Sequence, residues 1–346
     1  MKLRRIVASA AVALAVAPGA QAITINLINT GGVEQGTAAY AGFSAAAAYW
    51  ESVLTDNVTL NFNVGFTSVG FQPNVLGQTS SSSGQKTQAA WRAALIADAT
   101  TPLDAIATTH LATFSNANVS LNTALQKALG IYTGTASAID ATITFNAARP
   151  FDFDTRDGFA TVASDFVSVA VHEMGHALGF TSNVASSTTN ASRPANTDMF
   201  RYQNGAFNIT WGGDPYFSID GGATQMFGRS SFATGADGFQ TSHWKEGTRI
   251  HDGVSCTILT EAQIGIMDPT GGLCQEGIVT AQDLALFDAI GWNVNTNILT
   301  QAGYQKFTSQ IMADYMAAQV PEPQSWAMFA AGLALTGLAL RRRRRD

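Results

Sequence analysis

Hydrophobic and polar residues alternate in two segments near the start of the chain. Ile25 and Leu27 are separated by polar residues, and so are the apolar residues from Val58 to Phe66. A period of two residues is typical of a β-strand. Between these segments, residues 37–54 carry apolar side chains at helical spacing. A strand, a crossover helix and a second strand predict a right-handed βαβ unit with parallel strands.

Farther along the chain the pattern is less regular. Residues 67–85 are rich in Ser and Gly and are predicted to form a loop. Residues 141–146 alternate again and predict a third strand. Residues 180–277 are rich in Gly, Ser, Thr and Asn and show no regular pattern. Helices are predicted at about residues 86–97, 102–112, 122–129, 165–179 and 280–290, with a weaker helical pattern at 300–318.

Residues 1–22 have the three regions of a cleavable secretory signal peptide. A basic start is followed by an apolar run and by Ala20-Gln21-Ala22, which provides a small-x-small cleavage site. The sequence therefore predicts export through the Sec pathway.

The C-terminal residues 320–346 also have three parts. Val320-Pro321-Glu322-Pro323 is followed by an apolar stretch and by the basic block Arg341–Arg345. The apolar stretch is short for a membrane span, which needs about 20 residues. This tail resembles the PEP-CTERM sorting signal of Gram-negative bacteria, and a plain tail anchor is the alternative. The resemblance implies transient anchoring in the inner membrane and processing by an exosortase-type sorting enzyme.

The charge of the chain changes when both ends are set aside. Of 19 basic residues, three lie in the signal peptide and five in the C-terminal block, so the region between them is strongly acidic. An acidic surface argues against nucleic acid and against anionic membranes as partners.

The chain contains two cysteines, Cys256 and Cys274. An even number of cysteines in an exported chain predicts a disulfide. Its loop of about 18 residues would contribute roughly 3 kcal/mol of stability. The alternative is a metal-binding or catalytic thiol, but no pair of histidines lies near them at zinc-finger spacing.

The segment His172-Glu173-Met174-Gly175-His176 carries the clearest chemical motif, H-E-x-x-H. On a helix, residues i and i+4 lie on one face about 6 Å apart, so both imidazoles can reach one zinc ion. Glu173 can then act as the general base on a zinc-bound water.

A catalytic zinc site needs one more protein ligand and a position for water. The remaining histidines are His110, His243 and His251. His110 lies on a predicted helix in the N-terminal half and is interpreted as a surface or core-edge residue. The residues alone leave His243 and His251 open.

The segment H-E-x-x-H-x-x-G resembles the metzincin metallopeptidases, although Ser182 stands where their third histidine usually falls. One branch, typified by leishmanolysin, has a delayed third histidine that is followed by Trp and later by a methionine turn. This chain has His243-Trp244 and then Ile266-Met267-Asp268-Pro269. The resemblance implies His243 as the third ligand, with His251 as the alternative. It implies Met267 in the methionine turn, with a plain core residue as the alternative.

The resemblance also implies an α+β fold. A twisted, mostly parallel sheet and the active-site helix would occupy an upper part at residues 23–180, above an irregular lower part at 181–298. Residues 299–319 would link this domain to the tail.

Peptidases of this kind bind substrate as an extra strand at a sheet edge. We expect that edge to be the strand at 141–146, with Ile143 and Phe145. Cys256 and Cys274 flank Met267 and would join the two ends of its loop.

The residues allow two further metal interpretations. A different zinc clan uses a glutamate as third ligand, for which Glu246 and Glu261 are formal candidates, but neither lies in a predicted helix. Five loop carboxylates could bind structural calcium, although turn carboxylates more often cap their own backbone. These are Asp154, Asp157, Asp198, Asp214 and Asp220. We therefore predict one catalytic zinc ion. The sequence allows structural calcium but does not support it.

The leading hypothesis is a secreted zinc endopeptidase that hydrolyses peptide bonds by zinc-bound water, with Glu173 as general base. Its partners would be a protein or peptide substrate and the sorting enzyme, and its final location the cell surface or extracellular matrix. The alternative is an inactive or weakly active surface or matrix binding protein that keeps the fold. Glu173 argues against it, because a binding module needs no base. A zinc amidase or other non-peptide hydrolase is a third hypothesis.

Overall fold

A computed structural model of the chain describes residues 23–113, 118–186, 193–247 and 263–320. The predicted βαβ unit is confirmed. Strands β1 (Thr24–Asn29) and β2 (Thr59–Thr67) are parallel and are connected by helix α1 (Ala38–Val53). Helix α1 begins where the Thr37 hydroxyl accepts a hydrogen bond from Tyr40 N (3.1 Å), because Thr is a favourable N-cap residue.

The main sheet has four strands in the order β1-β2-β6-β3. Strand β6 (Ala141–Asn146) is parallel to β2, and β3 (Gly77–Ser81) is antiparallel to β6. The sheet is therefore mixed and mostly parallel, which is compatible with the predicted α+β class.

The prediction that residues 141–146 form the edge of the sheet is wrong. Strand β6 is hydrogen-bonded to β2 on one side and to β3 on the other. Ile143 and Phe145 are both 0% exposed, so neither can contact a substrate. Among the described strands, β3 is the edge on this side.

The predicted loop at residues 67–85 also contains two strands. Besides β3, it includes most of β4 (Ser83–Thr87), which pairs with β5 (Asn118–Asn122). Both β3 and β4 are formed by Gly, Gln, Ser, Thr and Lys, which give no hydrophobic alternation. Their backbone pairing rather than an apolar pattern defines them.

Helices cover the sheet and form the core with it. The helices of the upper part are α1, α2 (Gln88–Asp98), α3 (Pro102–His110), α4 (Thr123–Ala128) and α5 (Phe166–Leu178). Helix α1 packs on α5, and Trp50 Nε1 donates to Val171 O (3.2 Å). The rings of Phe145 and Phe166 lie 4.8 Å apart between sheet and helix. This aromatic packing fixes α5 against the sheet.

Short elements surround α5 in the chain. Strands β7 (Phe151–Asp152) and β8 (Ser164–Asp165) are paired just before it. After it, β9 (Arg201–Gln203), β10 (Ala206–Phe207) and β11 (Tyr216–Phe217) form a small antiparallel sheet. Helix α6 (Ala281–Ile290) follows β12 (Ile278–Thr280), which pairs with β13 (Gln305–Phe307).

The segment predicted as a linker, residues 299–319, is part of the folded body. Helix α7 (Thr308–Ala318) packs against α1 and α5. Ile311 and Met312 are buried, and the Thr308 hydroxyl donates to the Asp165 carboxylate. The weak helical pattern therefore belongs to a packed helix that ends where the C-terminal tail begins.

Candidate functional site

Helix α5 carries both histidines of the H-E-x-x-H motif, and its two ends have identifiable caps. The Asp165 carboxylate accepts a hydrogen bond from Ser168 N (3.1 Å) at the first turn. Gly179 has φ +123° just after the last turn, a conformation that favours glycine. The predicted helix is confirmed, and it presents His172 and His176 to one cleft.

Three histidines converge at this helix. Nε2 of His176 lies 3.1 Å from Nε2 of His172 and 3.2 Å from Nε2 of His243. The Nε2 atoms of His243 and His172 are 3.3 Å apart. Groups of three or more His, Cys, Asp or Glu residues can hold a metal ion when their ligand atoms lie close together. Among the described residues, the three histidines form such a group, with ligand atoms that all lie within 4.8 Å of one another. The alternative ligand His251 lies outside the described residues.

Backbone carbonyls orient the three rings. The Nδ1 atoms of His172, His176 and His243 lie 2.8, 2.7 and 3.0 Å from the carbonyl oxygens of Ile266, Phe180 and Gln240. A carbonyl oxygen only accepts, so each Nδ1 carries the proton and each Nε2 keeps its lone pair. Three lone pairs then face one another, an arrangement that a cation between them would stabilise.

The interior position of the rings keeps them neutral. Burial, together with the charge of His176, lowers the pKa of His172 to about 3. Burial lowers the pKa of His176 to about 4 and places that of His243 well below its ordinary value. Neutral imidazole is the form that binds metal.

Glu173 is a buried carboxylate beside the histidines. Its Oε2 lies 2.7 Å from Thr79 Oγ1, and its backbone oxygen lies 2.9 Å from the same hydroxyl. Burial raises the pKa of Glu173 to about 7, while the bond from Thr79 lowers it. Thr79 belongs to β3, so the edge strand holds this carboxylate directly. Sequence analysis missed Thr79, because its segment was predicted to be a loop.

Met267 is fully buried beneath the site. A Cβ atom at Gly175 would lie 2.4 Å from Met267 Sδ, so the methionine packs against the turn of α5 between the two histidines. Glycine inside a helix costs roughly 1 kcal/mol relative to alanine, and this contact is a steric reason to keep it. Trp244 N donates to Met267 O (3.0 Å). This bond joins the residue after His243 to the segment that carries Met267.

Asp283, at the start of α6, is another buried side chain that sequence analysis did not assign to the site. Its Oδ1 accepts from Trp244 Nε1 (2.8 Å), and its Oδ2 accepts from Ile266 N (2.9 Å) and Thr280 N (2.8 Å). Burial raises the pKa of Asp283, and these hydrogen bonds lower it. The capping box with Thr280 is visible in the sequence, but the contacts to Trp244 and Ile266 arise from the tertiary fold.

The histidines and Glu173 line a cleft of about 920 Å³. Residues of strand β3 line it on the side of the sheet, and residues 268–271 line it from the segment that follows Met267. A Cβ atom at Gly271 would be 3.4 Å from Leu76 Cδ1 and 3.8 Å from Val169 Cγ2, so the two sides approach each other near the first turn of α5. Arg149 lines the same cleft.

The other predicted metal ligands have different surroundings. Carboxylates of the calcium candidates are engaged within the protein: Asp154 with Arg156, Asp198 with Ser182, Asp214 with Lys245 and Asp220 with Thr224. The alternative ligand Glu246 accepts from Thr270 Oγ1 (2.8 Å). Neither these residues nor Asp157 joins the histidine group among the described residues. Glu261 lies outside the described residues.

The predicted disulfide involves one described cysteine. Cys274 is buried and disulfide-bonded. Cys256 lies outside the described residues, so the pairing of these two residues stays a prediction.

Comparison with known proteins identifies the C-terminal segment. Residues 319–344 match the PEP-CTERM protein-sorting motif. This motif is recognised by exosortase-type sorting enzymes and implies an exported protein that is sorted to the cell surface. No curated protein and no solved structure matches the chain significantly. Within the described ranges, every helix is too short or too polar to cross a membrane.

Proposed function

We propose that this protein is an exported zinc peptidase of the metzincin type, with its metal on His172, His176 and His243. The observation that carries the proposal is the convergence of three Nε2 lone pairs beside a buried carboxylate. Three neutral imidazoles and one open position are the donor set of a catalytic zinc site. When bound, zinc lowers the pKa of a water molecule to about 7 and polarises a carbonyl oxygen.

Glu173 acts as the general base in this proposal. Its Oε2 is held by Thr79, while its Oε1 takes the proton of the attacking water and passes it to the leaving amine. Thr79 keeps the carboxylate in one orientation throughout. Asp283 and Met267 act through the histidines, since they position the segments that carry the ligands and their carbonyl partners.

The peptide substrate adds to the outer edge of β3 as an extra strand. One edge of β3 is bonded to β6, and Gly77, Gln78 and Thr79 line the cleft. A peptide paired with β3 would pass beside Glu173, because Thr79 in the same strand contacts that carboxylate. In this proposal the substrate pairs with β3 rather than with residues 141–146.

Export has two processing steps in this proposal. The signal peptide at residues 1–22 is removed after Sec transport. The tail at 320–346 anchors the protein transiently in the inner membrane until the sorting enzyme processes it, which leaves the peptidase at the cell surface or in the extracellular matrix.

The test is cleavage of casein and of quenched fluorescent peptides by the protein purified after export. We expect activity that is lost with a chelator and restored by zinc. Glu173→Gln should keep zinc and lose about 100-fold or more in kcat, because general bases contribute that much. His110→Ala, at an exposed position outside the cleft, is the matched control and should keep full activity. A zinc-loaded protein that cleaves no peptide would overturn the proposal and favour the binding-protein hypothesis.

A further inference from the structure

Among the described residues, Arg149 is a cleft side chain without a charged partner. It follows β6 in a turn in which its N–H donates to Asn146 O (3.0 Å). Its Nε atom is buried and makes no hydrogen bond to the part of the chain that the structure describes. None of the ion pairs among the described residues includes its guanidinium. A guanidinium held in a cleft without a counter-ion favours an anion supplied by a ligand.

The other charged groups that line the cleft are already engaged. Among the described lining residues, the carboxylates belong to Glu173 and Asp268. Glu173 is bound by Thr79, and Asp268 accepts from Ile264 N and Gly265 N, both at 3.2 Å. Among the same described lining residues, Arg149 is the one Lys or Arg. In the described part of the cleft, Arg149 therefore offers one fixed positive charge to a ligand.

The backbone at Arg149 lies near the N-terminal end of α5. The next residue, Pro150, accepts a hydrogen bond from Ser164 N (3.1 Å), and Asp165 caps the helix immediately afterwards. From Asp165 to His172 the helix rises about 10 Å at 1.5 Å per residue. An extended peptide covers that length in about three residues. A group bound by Arg149 is therefore within about three residues of the bond at Glu173.

The direction of β3 identifies which side of the bond faces Arg149. Strand β3 runs alongside α5 in the same direction. A Cβ atom at Gly77 would be 3.0 Å from Val169 Cγ1, Thr79 contacts Glu173, and Ser81 Oγ donates to His176 O (3.1 Å). Antiparallel pairing is the more stable arrangement for an added strand. A peptide antiparallel to β3 runs toward Gly77 and Val169, so residues after the scissile bond approach Arg149.

We propose that Arg149 binds a carboxylate of the substrate within three residues on the carboxyl side of the scissile bond. The carboxylate is an Asp or Glu side chain or the free C-terminus of a short peptide, and both present the same two oxygens to the guanidinium. Leu76, Val169 and Gly271 lie close together at this end of the cleft, and apolar neighbours strengthen an attraction between charges because they lower the local dielectric constant. This inference rests on the proposed peptidase function and assigns its substrate class.

The test compares C-terminally amidated peptides that carry Glu, Gln or Lys at each of the three positions after the scissile bond. A second set carries Gln there and a free C-terminus. For the wild type we expect kcat/KM to be about tenfold higher for Glu than for Gln at one of the three positions, or about tenfold higher for the free C-terminus than for the amide. The reason is that a charge-assisted hydrogen bond is about twice as strong as a neutral one. Arg149→Gln should bring that ratio near one, and Arg149→Glu should favour Lys. Arg156→Gln, which removes an exposed ion pair with Asp154, is the control and should keep the wild-type ratio.

Binding of the same peptides to the zinc-loaded Glu173→Gln protein, measured by fluorescence anisotropy, separates the two proposals. Cleavage without a charge preference, or with a preference on the amino side of the bond, would overturn the role of Arg149 and leave the peptidase standing. A second outcome is charge-dependent binding that disappears in the Glu173→Gln, Arg149→Gln double variant, while the wild type cleaves nothing. That outcome would support the binding role of Arg149 and overturn the peptidase function. No binding and no cleavage would overturn both.

Discussion

Trp244 donates a 2.8 Å hydrogen bond from its indole Nε1 to Oδ1 of Asp283. The same carboxylate accepts from Ile266 N, and the Ile266 carbonyl accepts from Nδ1 of His172. One buried carboxylate thus links the residue that follows His243 with the residue that orients His172. The positions of two of the three imidazoles depend on it.

Asp283→Asn is expected to weaken both the fold and metal binding. The amide can still accept from Trp244, but its NH2 group would face the N–H of Ile266, and two donors cannot bond to each other. Leaving buried donors unsatisfied costs about 1–3 kcal/mol each. Urea unfolding should show a loss of this size, and zinc content after dialysis against a weak chelator should fall. Asp157→Asn, at an exposed position, is the matched control, and equal behaviour of the two variants would show that Asp283 does not support the site.

Gly175→Ala is expected to destabilise the protein through Met267. The added Cβ would lie 2.4 Å from Met267 Sδ, although alanine improves the helix propensity of α5. Overpacking of a buried contact typically costs about 1–3 kcal/mol. Urea unfolding should show that loss for Gly175→Ala.

The double variant Gly175→Ala, Met267→Ala tests the cause. Met267→Ala alone leaves a cavity, so it is destabilising by itself. If the clash is real, Gly175→Ala should lower the free energy of unfolding less in the Met267→Ala protein than in the wild type. Additive losses would mean that the two side chains do not meet.

Thr79→Val is expected to lower kcat while KM and zinc content stay near wild type. The substitution keeps the shape of the side chain and removes the hydroxyl that holds Glu173 Oε2. A mispositioned base affects the chemical step rather than binding, and we expect a loss of about tenfold, the equivalent of one hydrogen bond to a charged group. Thr79→Ser should restore most of the rate, because it restores the hydroxyl. Equal losses in both variants would contradict a role for the hydroxyl.

Asp288 is expected to make stability depend on pH. Burial, together with the charge of nearby Asp104, raises its pKa to about 8. An unfolded aspartate titrates near 3.9, so the folded protein binds this proton more tightly than the unfolded chain does. The contribution is therefore present at low pH and is lost as the pH rises from about 4 to about 8. The slope is at most about 1.4 kcal/mol per pH unit.

Asp288→Asn isolates this effect. The asparagine oxygen can still accept from Thr101 Oγ1, which lies 3.0 Å from Asp288 Oδ2. Relative to the wild type, the variant should gain stability in urea unfolding between pH 5 and pH 9. Because both proteins keep the histidine site, the pH dependence of metal binding cancels in the comparison. A difference that does not change with pH would mean that Asp288 is ionised throughout.

The sequence predicts the helix of the site well because its signals are local. Asp165, Gly179 and the spacing of His172 and His176 all lie within one helix, where capping and periodicity are sufficient. His243 came from a resemblance rather than from spacing. It joins the other two histidines across 67 residues of chain that show no hydrophobic pattern.

The parts that sequence analysis missed depend on long-range contacts. Strand β3 contains Gly, Gln, Thr and Ser and pairs with β6 sixty or more residues later, so no local pattern marks it. The alternation of residues 141–146 predicts a strand, but a strand's position in the sheet depends on its neighbours. Asp283 has a sufficient local explanation as a helix cap, which conceals its contact with Trp244.

The most direct test of the central claim is a zinc-edge X-ray absorption spectrum of the purified protein and of its His243→Ala variant. The account predicts about one zinc per chain with three imidazoles in the first shell, and two imidazoles or no bound zinc in the variant. A protein that binds no zinc, or a first shell that His243→Ala leaves unchanged, would contradict it.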